Sequence, residues 1–104
     1  MSVYTSDDWY IKTGCEEAFE EAWQAFVEAS RDEIEPTAWA TLSRDREDPS
    51  HFRSIARWTN GAAYVEWRDG KGLARLIGQL SDMLESMETS IFEVTAASGD
   101  SPLR

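Results

Sequence analysis

Alternation of large apolar and polar residues opens the readable part of this chain. Trp9, Ile11 and Thr13 fall on one side, with Tyr10 and Lys12 on the other. That period of two predicts a short strand, closed by Gly14. Residues 1–8 are polar and end in Asp7-Asp8, so they read as a frayed start. From Cys15 to Arg31 the period lengthens. Phe19, Ala22, Trp23, Phe26, Val27 and Ser30 share one helical face, and glutamates fill the other. Acids at its start and Arg31 at its end suit the helix dipole. Pro36 ends that region and residues 37–43 predict a second strand. Pro49 lies in the charged turn that follows, where a strand cannot continue. A third strand spans 51–58, with Phe52, Ser54, Ala56 and Trp58 on one face and His51, Arg53, Ile55 and Arg57 on the other. Asn60 caps a short helix running to about Arg68. Asp69-Gly70 opens a longer one, striped by Leu73, Leu76, Ile77, Leu80, Leu84 and Met87. Residues 90–96 predict the last strand, and a loose polar tail follows.

The order strand, helix, strand, strand, helices, strand predicts an α+β fold. A ferredoxin-like split βαβ arrangement with one four-stranded antiparallel sheet satisfies it with right-handed crossovers. The expected unit is one domain over 1–104, with a core at about 9–97. Helices can cover only one face of such a sheet. The other would carry Tyr10, Trp39 and Ile55 among Thr37, Thr41, Lys12, Arg53 and Arg57. A face with aromatics that large predicts packing against a second copy, a homodimer.

Charge narrows the function classes. The 104 residues carry 20 acids against 10 bases, a formal net charge of −10, which argues against nucleic-acid or anionic-membrane partners. No run approaches the ~20 apolar residues of a membrane span, and no basic, apolar leader is present. With a single cysteine, Cys15, a reducing cytoplasm is the expected location. One Cys and one His cannot build a His/Cys metal site, so no metal is expected. A Cys15-His51 nucleophilic pair lacks a third, orienting residue. Gly70-Lys71-Gly72 lacks the spacing of a phosphate loop. Five Trp, three Tyr and four Phe are the less ordinary feature: either core alone or the lining of a pocket for a flat ligand.

Three stretches carry a family resemblance. Trp9-Tyr10-Ile11-Lys12-Thr13-Gly14 precedes an acidic, aromatic helix; Asp45-Arg46-Glu47-Asp48-Pro49-Ser50-His51-Phe52 forms a charged turn into a strand; and Trp58-Thr59-Asn60-Gly61-Ala62-Ala63 steps into the short helix. In their order and spacing they resemble the antibiotic biosynthesis monooxygenase-like domains of the dimeric α+β barrel superfamily, over about residues 9–97. The resemblance implies two sheets packed face to face in a homodimer, and a cavity between helices and sheet in each subunit. It also implies oxidation of reduced aromatic polyketides or quinols by dioxygen, with no cofactor. Three places depart from the family pattern: Ala56 where many members have Glu, Trp67 where many have His, and Lys12-Thr13-Gly14 where the usual turn is Lys-Pro-Gly. Haem degradation, found in one branch, is not expected, since only its Trp is matched, by Trp58.

The face of the sheet toward the helices mixes small Ala38, Ala40, Ser54 and Ala56 with large Trp9, Phe52 and Trp58. Either Phe19, Trp23 and Phe26 fill the space between them, or a cavity remains that suits an apolar ring system. For the cavity, Trp58 and Tyr64 are the candidate catalytic residues. Trp58 could stack on a substrate and direct its indole N–H to an oxygen, and the Tyr64 phenol could hydrogen-bond a carbonyl or hydroxyl. Trp9, Trp23, Ser54, Asn60 and Trp67 are candidate substrate-binding residues, although helix capping alone accounts for Asn60. No carboxylate stands out as a base on the cavity side; Glu66 and Asp69 flank the short helix facing solvent. The expected function is a cofactor-independent monooxygenase acting on an aromatic polyketide-like or quinol substrate. The alternative is a non-catalytic dimer that holds an aromatic metabolite.

Overall fold

The computed structural model describes residues 2–31 and 39–103. Its first strand is longer than the sequence pattern predicts. β1 runs Val3–Ile11, and the alternation that begins visibly at Trp9 extends back through Asp7 and Thr5. Polar side chains hid it. Asp8 faces the open side of the sheet, where Arg53 Nε (3.0 Å) and His51 Nε2 (2.8 Å) meet its Oδ1. Asp7, one residue earlier, is turned inward and buried.

α1 spans Glu16–Ala29 and buries Phe19 and Trp23 against the sheet. β2 is Ala40–Arg44; the expected start of that strand, 37–38, lies outside the described residues. β3 is His51–Trp58, with the expected bounds. α2, Gly61–Asp69, begins at Asn60, whose side chain accepts from the Ala63 amide. Lys71, in the left-handed region at φ 71°, turns the chain into α3, Gly72–Leu80. The apolar stripe predicted to continue α3 through Leu84 and Met87 is broken by a 3-10 turn, Ser81–Met83. Those two residues belong to β4, Leu84–Glu93, and still pack on the core from there. A stripe read at helical spacing and a strand facing the same core look alike in sequence here.

The sheet is antiparallel in the order β2-β3-β1-β4, which is the ferredoxin-like topology. β3 and β1 lie at its centre with β2 and β4 at the edges, and the helices cover one face. Near the β1–β3 end the core is aromatic: Trp9, Phe19 and Phe52 are all 0–1% exposed, with ring centroids 5.6 Å and 5.1 Å apart in succession. Full burial of three such rings is a main source of stability in a domain this small.

The uncovered face carries Tyr10 at 37% exposure and a stacked pair, Tyr4 and Phe92, with centroids 5.2 Å apart. Tyr10 lies flat on His51 at 4.7 Å. His51 is held on both nitrogens, by Asp45 (3.0 Å) and Asp8 (2.8 Å), so it has no nitrogen left to activate Cys15. No helix among the described residues is long and apolar enough to cross a membrane.

Candidate active site

Beyond the aromatic core, toward the Val3 end of β1, the inward residues become smaller and more polar. Thr5, Asp7, Ser54 and Ala56 from the sheet face Trp23, Phe26, Tyr64 and Trp67 from the helices. Between them lies a cavity of about 60 Å³. Both readings of the size pattern therefore hold, at opposite ends of one layer: rings fill the space around Trp9, and space remains beside Trp58.

Each wall is fixed by partners distant in sequence. Trp58 is 4% exposed, and its indole N–H donates to Thr5 Oγ1 at 3.1 Å. That N–H is already engaged, so Trp58 offers the cavity its ring and not a free donor. Tyr64 meets Trp58 edge-on at 5.4 Å, and Trp67 tilts against it at 5.5 Å. Gly72 gives Trp67 its place. A Cβ there would sit 2.3 Å from the indole Cε2 and Nε1.

Of the residues expected to bind substrate, Trp23, Ser54 and Trp67 line the cavity with Trp58 and Tyr64. Trp9 does not. Its ring packs on Phe19 in the closed core, and its N–H donates to Ser54 Oγ at 2.9 Å. Nor does Asn60, which is spent on the α2 cap. Ser54 is used twice: it accepts from Trp9 and donates to Asp7 Oδ2 at 3.1 Å. That chain of donors fixes the carboxylate.

Asp7 is the residue that sequence reasoning missed. It is 9% exposed, it lines the cavity, and its Oδ1 is buried with no hydrogen-bond partner. Burial pushes its carboxyl above the ordinary aspartate range, with Asp8 adding to the shift and the Thr89 and Ser54 hydroxyls opposing it. Tyr64 is shifted the same way, first by burial and then by the charge of Asp7, while Arg68 opposes. The phenol therefore stays protonated at neutral pH and is available as a donor. One signal could have revealed Asp7: it shares parity with Trp9 and Ile11, the two best-defined inward positions of β1. Glu66 and Asp69 are exposed and take no part.

A second, open groove of about 440 Å³ lies between α1 and β2, lined by Glu20, Gln24, Thr41, Leu42, Arg44 and Phe52. Trp23 and Ala40 border both spaces.

The comparisons agree with the fold. The family model for antibiotic biosynthesis monooxygenase matches residues 8–77, about two thirds of the chain. Among solved structures, SnoaB, a cofactor-independent oxygenase from Streptomyces nogalater, superposes with a TM-score of 0.76 at 18% identity, covering 92% of this chain and 95% of that one. A structure from Deinococcus radiodurans, assigned to antibiotic biosynthesis monooxygenases, gives 0.78 at 16% identity, covering 93% and 96%. A protein of Pseudomonas aeruginosa gives 0.72 at 22%, covering 91% and 95%. At such identities the likeness establishes the fold. No match is found among curated protein sequences.

Proposed function

This chain belongs to the antibiotic biosynthesis monooxygenase family, and from that premise we propose that it oxidises a small hydroxy-aromatic, quinol-like or anthrone-like compound with dioxygen and no cofactor. The observation that carries the reading is a cavity walled by Trp23, Trp58, Tyr64 and Trp67 that also contains buried polar groups. A purely structural core excludes such groups, because an unpaired buried polar atom costs about 1–3 kcal/mol. Aromatic walls would hold a flat ring, and the neutral Tyr64 phenol would donate to its oxygen as negative charge develops there. In the reaction one oxygen atom of O2 enters a ring carbon and the other leaves as water, with the substrate supplying two hydrogens.

At about 60 Å³ the space is well below the ~300–1,000 Å³ of most ligand pockets. A substrate ring must therefore displace a wall. Trp23, which borders the open groove as well, is the wall whose movement joins the two spaces. The tight volume also favours a second reading, a binding protein that holds an aromatic metabolite without turnover. Oxygen uptake separates them. With dithranol and simple hydroquinones, the oxygenase reading expects at least ~10-fold acceleration over the uncatalysed rate. Tyr64→Phe should lower kcat by ~10-fold or more, with the fold unchanged. Binding without uptake would establish the second reading.

We also propose that the open sheet face is closed by a second copy of the chain. The stacked Tyr4–Phe92 pair and the exposed Tyr10 support it. Sedimentation should report twice the 11.8 kDa chain mass, and Phe92→Glu should halve it. A wild-type monomer at micromolar concentration would refute the arrangement.

A further inference from the structure

We propose that Asp7 Oδ1 receives the ring hydroxyl of the bound aromatic compound and is the base that removes its proton. The site's location follows from the cavity itself. The fate of the deprotonated ring rests on the oxygenase reading given above.

Three observations converge on this carboxylate. Its two oxygens are unequal: Oδ2 is held by Ser54, which is in turn held by Trp9, whereas Oδ1 is buried with no partner in good hydrogen-bond geometry, the nearby Thr89 hydroxyl of β4 giving the carboxyl only partial support. An acceptor fixed on one side and open on the other fits a single hydrogen-bond donor arriving from the cavity. Secondly, among the described residues no cation pairs with Asp7, and the nearest one the site shows, Arg68, lies over the Tyr64 ring. The titratable groups beside it are the Asp8 carboxyl on its own strand and the Tyr64 phenol on α2, while β3 and β4 contribute only the Ser54 and Thr89 hydroxyls. A carboxylate in that setting destabilises the fold relative to a neutral residue, which is the usual sign of a group retained for chemistry. Thirdly, the walls are aromatic, so the donor belongs on a flat ring.

The proton transfer is balanced within the site. The substrate O–H bond breaks, an O–H bond forms on Asp7 Oδ1, and the electron pair stays on the ring oxygen. One negative charge moves from carboxylate to ring and none is created, so the dry cavity imposes no new desolvation cost. Burial raises the proton affinity of Asp7 toward that of a phenol, which helps the transfer. A ring carrying electron-withdrawing or fused carbonyl groups would yield its proton most readily. The substrate class is therefore an acidic hydroxy-aromatic, and a plain hydrocarbon ring is excluded.

The test pairs binding with turnover, using 4-nitrophenol and nitrobenzene as probes below the pKa of the phenol. Wild-type protein should bind neutral 4-nitrophenol at least ~10-fold more tightly than nitrobenzene, because only the phenol satisfies Oδ1. In Asp7→Asn the amide oxygen keeps the Ser54 bond and the NH2 group takes the place of Oδ1. The preference should then fall to about twofold or less, since an amide NH2 cannot accept the hydroxyl's hydrogen bond. With an oxidisable substrate, Asp7→Asn should lower kcat ~100-fold and remove the acid limb of its pH profile. Equal wild-type affinity for the two probes overturns the proposal, whatever the variant does. So does an Asp7→Asn protein that keeps both the phenol preference and kcat. If Asp7→Asn abolishes the preference while wild type oxidises nothing, the assignment of Asp7 as the hydroxyl acceptor is supported and the oxygenase reading alone fails.

Discussion

Replacing Trp9 with alanine is expected to remove about 3–5 kcal/mol of stability, the range for emptying a buried aromatic site. Trp9 is fully buried at the centre of the sheet, pairing across to Phe52 on one side and Met87 on the other. Its ring packs on Phe19, which α1 delivers, so truncation opens a void where helix and sheet meet. The indole N–H also anchors Ser54, and with it the orientation of Asp7. A loss of that size is a large share of the ~5–15 kcal/mol that holds a typical domain together. Urea unfolding measures it directly. A change below about 1 kcal/mol would show that the site collapses without penalty and that the core lies elsewhere.

Gly72→Ala should be the most damaging small change near the cavity. Its methyl would lie 2.3 Å from two indole atoms of Trp67 and 2.7 Å from a third, Cδ1. These atoms belong to a rigid ring lodged against Trp58, not to a flexible chain end. Either the α2–α3 junction opens or Trp67 shifts, and overpacking of this kind costs about 1–3 kcal/mol. The thermal midpoint should fall by roughly 4–8 °C for each kcal/mol lost, and tryptophan fluorescence should change with it. Trp67→Leu in the same chain should recover most of the loss, because the clashing atoms are gone. Gly72→Ala with unchanged stability and fluorescence would mean that the two residues are not in contact.

These two positions show how unevenly the sequence can be read. Trp9 announces itself as an inward residue through alternation with Tyr10 and Ile11. Gly72 does not announce itself at all, since its own backbone does not require glycine: its φ is not in the left-handed region, and it is the Trp67 indole, folded back from the preceding helix, that excludes a side chain. Tyr64 and Trp67 could be placed on one helical face from their spacing of three. Their convergence with Trp58 needed the α2–β3 packing to be seen. Asn60 was legible as a cap, and capping is what it does.

The sequence by itself determined the element order, the bounds of β3, the cap of α2 and the family. Those features are written in local periodicity and short-range spacing, which survive without knowledge of the partner strand. Only the tertiary structure decided that residues 3–8 are a central strand. A polar strand is recognisable by what pairs with it, and Asp7 and Asp8 acquire opposite fates from partners that lie more than 40 residues away. Asp8 meets Arg53 and His51 at the uncovered face, while Asp7 is shut in beneath α2 with one oxygen unanswered. Burial is a property of the whole packed layer, so no reading of adjacent residues could turn a frayed acidic start into the buried carboxylate of a cavity.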